Sequence, residues 1–287
     1  MADNTLHEEW TQVLEPTSNP FQFNFRELWR YRDLIILFVK RDFVATYKQT
    51  ILGPVWHFIQ PLLTTVMFLI VFGVVAKIPT GGIQAIPFYM SGIAIWNYFS
   101  ACLTGTSSTF VGNAAIFGKV YFPRLVMPLS VIISNIVKFG IQFLLLLVVL
   151  AYYGITKGHF YFGASWLLIP VLVIIMAGLG LGFGIIISSL TTKYRDFTVL
   201  IGFGIQLLMY ATPIVYPASY IRSVTKHGYL IDYNPLTPVV EGFRYAVFGT
   251  ADFHMASLGY SCIWMVAVLL LGVLFFNKTE KSFMDTV

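Results

Sequence analysis

A chain of 287 residues that is 57% hydrophobic and only 11% charged, with a mean hydropathy of +0.76, has lipid as its main solvent. Its formal net charge of +5 is carried at the edges of apolar segments, which argues for membrane topology and against a nucleic-acid-binding face. The two cysteines, Cys102 and Cys262, fall inside apolar segments and read as small packing residues, so no disulfide framework is indicated.

Residues 1–25 are polar, hold Pro16 and Pro20, and read as a flexible cytoplasmic leader; their acidic start lacks the basic region of a cleaved signal peptide. Over 26–50 the pattern changes. Leu28, Tyr31, Ile35 and Phe38 recur at helical spacing with Arg30, Asp33, Lys40 and Arg41 between them, and the apolar run 34–39 is too short to cross a bilayer. This predicts an amphipathic helix lying in the cytoplasmic headgroup layer.

A membrane domain is expected over 51–277, with six spans at about 54–76, 86–108, 129–152, 165–190, 197–216 and 257–276, and a cytoplasmic tail at 278–287. An N-terminus inside puts twelve basic residues on the cytoplasmic side: Arg26, Arg30, Arg32, Lys40, Arg41, Lys48, Lys119, Arg124, Lys193, Arg195, Lys278 and Lys281. Five lie outside (Lys77, Lys157, Arg222, Lys226, Arg244) and Lys138 is left within the third span. That bias predicts both termini in the cytoplasm.

Between the second and third spans, the stretch 112–128 contains Gly118-Lys119-Val120-Tyr121-Phe122-Pro123-Arg124 and then Pro128. Two prolines break a continuous helix, so this is a bent basic and aromatic elbow, with Tyr121 and Phe122 available to the headgroup layer or to a partner's groove. An ordinary interfacial loop accounts for it equally well. The third outer segment, 217–256, is long and carries Asn234-Pro235-Leu236-Thr237-Pro238 before an apolar helical pattern at 239–248, which predicts one or two short helices dipping into the outer interface.

No Asp or Glu occurs between Asp42 and Asp196, and the fifth and sixth spans contain none, which disfavours a proton- or sodium-coupled carrier. The one Gly-Lys pair, Gly118-Lys119, is followed by Val120, so the chain has no phosphate loop of its own. Gly178, Gly180, Gly182 and Gly184 miss dinucleotide-loop spacing and are expected to serve close helix packing. The five histidines show no metal-ligand spacing, and no nucleophile grouping is visible, so neither a catalytic nor a metal site is expected.

Polar residues in the spans form stripes: His57, Gln60, Thr64 and, one turn on, Phe68 in the first; Asn97, Ser100, Thr104 and Ser107 or Ser108 in the second; Phe203, Gln206, Tyr210 and Pro213 in the fifth. Inside a bilayer such stripes turn toward protein or water, and their mixture of amides, hydroxyls and rings without fixed charge suits sugars. For any one residue, interhelical hydrogen bonding is the simpler account. Lys138 needs a partner; snorkelling to the headgroups or contact with a substrate phosphate would each supply one.

Taken in order, Tyr47-Lys48-Gln49-Thr50-Ile51-Leu52-Gly53-Pro54-Val55-Trp56, the elbow from Lys119 to Pro128, Tyr194-Arg195-Asp196, Thr212-Pro213-Ile214-Val215-Tyr216-Pro217, Asn234-Pro235-Leu236 with Arg244, and Glu280-Lys281-Ser282-Phe283-Met284-Asp285 resemble the membrane subunits of ABC-2 type polysaccharide exporters. These permeases move lipid-linked O-antigen, capsule or teichoic acid chains across the bacterial inner membrane. The resemblance implies an all-α integral membrane fold and a homodimer of six-span subunits. It implies two separate ATP-binding subunits docked beneath, which hold the ATP and Mg; no cofactor is expected in this chain. ATPase coupling would fall to Arg30, Lys40, Lys119, Tyr121, Phe122, Arg124, Tyr194, Arg195 and Asp196. The channel would be lined by His57, Gln60, Thr64, Phe68, Asn97, Phe203, Gln206 and Tyr210, with an outer gate at Tyr216, Asn234, Glu241 and Arg244. A permease for a small molecule or lipid, an integral-membrane enzyme of glycolipid metabolism and an ungated channel are the alternatives.

Overall fold

The structure is a computed structural model that describes residues 25–48, 53–117, 119–120, 122–158, 161, 163–194, 196–251 and 253–283. It is helical throughout, with no strand among the described residues. The elements are α1 (Phe25–Arg30), α2 (Arg32–Tyr47), α3 (Trp56–Phe68, continued by a π-helical stretch over Leu69–Val75), α4 (Ala85–Ser107), α5 (Thr109–Phe117), α6 (Val126–Lys157), α7 (Leu168–Thr191), α8 (Phe197–Tyr210), α9 (Ala218–Val224), α10 (Thr237–Phe248) and α11 (Met255–Phe283).

Among the described residues, four helices are long and apolar enough to cross a membrane: Trp56–Val75, Val126–Lys157, Ala164–Thr191 and Met255–Thr279. The other two expected spans differ from these for physical reasons. α4 has the length, at 23 residues, but carries Tyr89, Ser91, Asn97 and Tyr98. It tolerates them because it is the central helix, buried against α6 and α7 along most of its length and facing protein rather than lipid. α8 has 14 residues, or about 21 Å of helix against a hydrocarbon core of about 30 Å. It stops at Tyr210 instead of 216, three residues before Pro213, whose ring would clash with the Met209 carbonyl of a continued helix.

The even-numbered glycines of α7 split between two neighbours. A Cβ on Gly180 would lie 2.8 Å from the Cβ of Cys102, and one on Gly184 would lie 2.6 Å from the Cβ of Thr106, so these two let α4 approach. Gly178 and Gly182 face α11, at Met265 and Val268. Close packing through small residues is therefore how these glycines are used. Gly184→Val should cost about 1–3 kcal/mol through overpacking, measured by thermal unfolding in detergent, while Gly140→Ala, with open space around it, should leave the transition unchanged.

Two apolar clusters divide the molecule by height. The larger surrounds α4 and takes in Leu172, Ile175 and Met176 of α7, Ile214, Val215, and Val239, Val240 and Phe243 of α10. The smaller gathers Leu28, Phe38, Phe110, Phe117, Phe122, Val126, Met127, Ile185, Val273 and Phe276. It joins α1 and α2 to α5, the elbow, and the far ends of α7 and α11.

α1 and α2 are separated at Tyr31 and pack their Leu28 and Phe38 side inward. The opposite side is less polar than the sequence pattern suggests, since Trp29, Ile36, Leu37 and Val44 are exposed beside Arg30, Arg32 and Lys40. A helix apolar on both sides and charged between them suits the boundary between headgroups and acyl chains.

Candidate functional site

α8 ends in an unwound stretch, 211–217, whose carbonyls have lost their helical donors. Buried carbonyls must be satisfied by protein, and Arg244 supplies the donors at the centre of the stretch. Its Nη1 donates to the Pro213 carbonyl at 2.6 Å and its Nη2 to that of Ile214 at 2.7 Å. Nη1 also lies 3.2 Å from Oε1 of Glu241, and the guanidinium sits over the Phe88 ring at 3.8 Å from its centre. Glu241 Oε1 accepts from the backbone N–H of Ala218 at 3.0 Å. Asn234 finishes the cage, donating to the Ala211 carbonyl at 3.1 Å and to the Thr212 hydroxyl at 2.9 Å, while its Oδ1 caps the N–H of Leu236 at 3.0 Å. The Tyr216 hydroxyl reaches back to the Tyr210 carbonyl at 2.5 Å.

The four residues expected at an outer gate thus converge on one segment. Arg244 is 1% exposed and Glu241 3%, so the pair is sealed inside the protein, although 217–256 is an outer loop by sequence. Burial pulls the Arg244 pKa down from its ordinary value, and the Glu241 carboxylate pushes it back up. Gly92 belongs to the same cage: a Cβ there would meet the Ile214 carbonyl at 2.8 Å and Nη2 of Arg244 at 3.0 Å. Neither Gly92 nor Phe88 is marked by any pattern in the sequence; the i, i+3 spacing of Glu241 and Arg244 was the available signal for the ion pair.

The expected channel residues fall into two groups. α3 buries only Pro61 and Thr65, and α8 buries nothing, so both helices carry large open faces. Phe203 and Tyr210 are 60% and 52% exposed, Gln206 and Gln60 are exposed, and His57 and Thr64 are half-buried. Phe68 and Asn97 instead meet neighbouring helices. The Phe68 ring packs edge-on against Tyr89 at 6.3 Å, and Asn97 donates to Gln142 of α6 at 3.2 Å, an interhelical hydrogen bond within one subunit.

At the other end, the elbow differs from expectation. Phe122 is 4% exposed, with its ring 5.8 Å from Phe38 and 5.7 Å from Phe117. It is an internal brace between α2 and α5 rather than a knob shown to the cytosol, because a ring in a short loop gains more from a phenylalanine cluster than from water. Arg124 is likewise buried at 8% exposure, its guanidinium 5.6 Å from the centre of the Phe117 ring. Tyr121 and Arg195 lie outside the described residues. Arg30, Lys40, Lys119, Tyr194 and Asp196 remain on the surface, with Lys193 over the Tyr194 ring at 5.3 Å. The Thr191 hydroxyl, 3.3 Å from the Ser107 carbonyl, and Ser188 Oγ, 3.3 Å from the Phe110 N–H, tie the end of α7 to the α4–α5 junction, so these groups share one end of the molecule.

Lys138 of α6 is half-buried, and the opposite charge acting on it is Asp42 of α2, itself held by Arg41 at 2.7 Å. No group of three or more His, Cys, Asp or Glu side chains able to hold a metal occurs among the described residues.

A bundle of long apolar helices whose one fully buried carboxylate among the described residues, Glu241, is paired with Arg244, and which has a basic, aromatic end around the elbow, fits a membrane permease. The family model of the ABC-2 type transporters matches residues 33–248, and the chain belongs to that family. It is 29% identical over 259 residues to the O-antigen export system permease protein RfbA of Klebsiella pneumoniae, covering 88% of this chain and 94% of that protein. It is 30% identical over 222 residues to the protein of the same name from Myxococcus xanthus, covering 76% and 82%. The polysialic acid transport protein KpsM of Escherichia coli is 24% identical over 256 residues, covering 86% and 93%.

Proposed function

We propose that this chain is the permease subunit of an ATP-driven exporter that moves a lipid-linked polysaccharide, O-antigen in the first instance, across the bacterial inner membrane. It works as a homodimer of six-span subunits, termini in the cytoplasm, over two ABC ATP-binding subunits that carry the ATP and Mg; it performs no covalent chemistry itself. The supporting observation is the pair of open, uncharged faces on α3 and α8, bearing Gln60, Phe203, Gln206 and Tyr210, in a chain whose export relatives match it nearly end to end. Amide and aromatic surfaces hydrogen-bond sugar hydroxyls and stack on sugar C–H faces without trapping ions.

In this mechanism the ATP-binding subunits grip Lys119, Arg30 and Lys40 on α1 and α2, and Tyr194 to Asp196. Their closure is carried through Phe122 into α2 and α5, and the α3 and α8 faces of two copies part to pass the polymer. A ligand shifts such an equilibrium only by its difference in affinity for the two states, so the grip must differ between the ATP-bound and nucleotide-free complexes. The Arg244 cage sets the outer end of α8 and closes the path between strokes.

The seam is tested in native membranes. Gln206→Cys and Tyr210→Cys should each give an oxidant-dependent dimer of twice the subunit mass. Monomer alone at both positions would remove α8 from the interface.

A further inference from the structure

A groove of about 820 Å³ lies beneath α1 and α2 and is walled by α6, α7 and α11. Much of its lining is aliphatic: Leu129 and Ile133 of α6, Leu181 and Ile185 of α7, Val266 and Leu270 of α11. It runs from Leu125, just before α6, to Ile133 and on α11 from Val266 to Leu274, about 12 Å along each axis. One leaflet contributes about 15 Å of hydrocarbon, so the length of the groove matches one leaflet and falls well short of the whole bilayer core.

The rim is different in chemistry. Arg32 and Trp29 line the mouth from above, and Lys278 is exposed one turn beyond Leu274 on the same face of α11. The ion pair of Arg32 with Asp33 is long, at 3.8 Å, and both side chains are more than half exposed, so it leaves the guanidinium free to take a stronger anion. Trp29 is 71% exposed, an indole placed where headgroups meet acyl chains.

We propose that this groove is a binding site for one anionic phospholipid of the leaflet that α1 and α2 lie in. An acyl chain fills the aliphatic slot and the phosphate rests between Arg32 and Lys278. Two cations flanking a one-leaflet slot separate this from general lipid wetting, because zwitterionic lipid satisfies the slot but not the rim. The bound lipid fills the space between the interfacial helices and α11, and so ties them to the bundle at the end where a partner subunit would dock. Only the assignment to the cytoplasmic leaflet rests on the orientation proposed above.

The test uses the full chain in phosphatidylcholine nanodiscs with Trp29 as reporter, its signal isolated by difference against Trp29→Phe. Phosphatidylglycerol brominated on its acyl chains should quench Trp29 at lower mole fraction than brominated phosphatidylcholine, by roughly fivefold for each rim cation. The doubly substituted Arg32→Gln, Lys278→Gln protein should lose that preference. Leu270→Phe, which narrows the slot without touching a charge, should weaken quenching by both lipids. Equal quenching by the two lipids overturns the proposal, as does displacement of brominated phosphatidylglycerol by sub-stoichiometric polyprenyl phosphate, which would assign the groove to a lipid-linked substrate. Neither result bears on whether the protein exports polysaccharide, which is read separately as polymer reaching the outside.

Discussion

Replacing Arg244 by Gln is expected to lower stability by about 3–5 kcal/mol, the range for removing one member of a buried ion pair. The loss has two parts. Glu241 is left charged at 3% exposure without its guanidinium counter-charge, and the carbonyls of Pro213 and Ile214 lose the Arg244 donors in a buried setting. Replacing Glu241 by Gln should cost less, because the amide oxygen still accepts from Ala218 and the guanidinium retains both carbonyls. The double variant should be closer to the Arg244 variant than the sum of the two losses, since the residues act as one unit. Unfolding in detergent gives the energies. Proteolysis between α8 and α9 reports the structural effect, as the 211–217 segment should become cleavable while the bundle stays intact. Strict additivity would mean that the cage is not a unit.

Truncating Phe122 to Ala is expected to cost about 3–5 kcal/mol, as for other buried phenylalanines. The ring fills the angle between Phe38 of α2 and Phe117 of α5, so the cavity should loosen α2 from the elbow and uncouple ATP hydrolysis from export. Lys119→Ala separates the two effects. Lys119 is exposed and should leave unfolding unchanged while lowering ATPase stimulation in the complex. If Lys119→Ala is silent in both assays and Phe122→Ala lowers stability alone, the elbow is a packing element and the docking site lies elsewhere.

These two residues also show what was legible in the chain. Tyr216, Asn234, Glu241 and Arg244 are singled out through the family resemblance alone; that Asn234, Glu241 and Arg244 gather on the 211–217 segment is a matter of how the chain folds back, which no local pattern displays. Phe122 could not be read correctly: nothing local marks its ring as turned inward, because that depends on Phe38, distant in sequence. The end of α8 was misplaced for a related reason. Ile214 and Val215 continue the apolar run, so hydropathy extends the span to 216, whereas the chain buries them in the core in non-helical form. Hydropathy also blurs the distinction between a lipid-facing span and α4, whose polar residues are tolerated because protein surrounds it. The glycines of α7 read correctly as packing residues, yet their division between α4 and α11 depends on a rotation that only the assembled bundle fixes.

The central claim is that this subunit offers a carboxylate-poor passage and takes its driving force from a nucleotide-hydrolysing partner. The direct measurement reconstitutes the chain with its ATP-binding partner in proteoliposomes loaded with lipid-linked polysaccharide and follows polymer reaching the opposite face. The account predicts transfer that requires both subunits and ATP, and that stops when a partner variant binds ATP without hydrolysing it. Transfer by this chain alone on a proton or sodium gradient would contradict it.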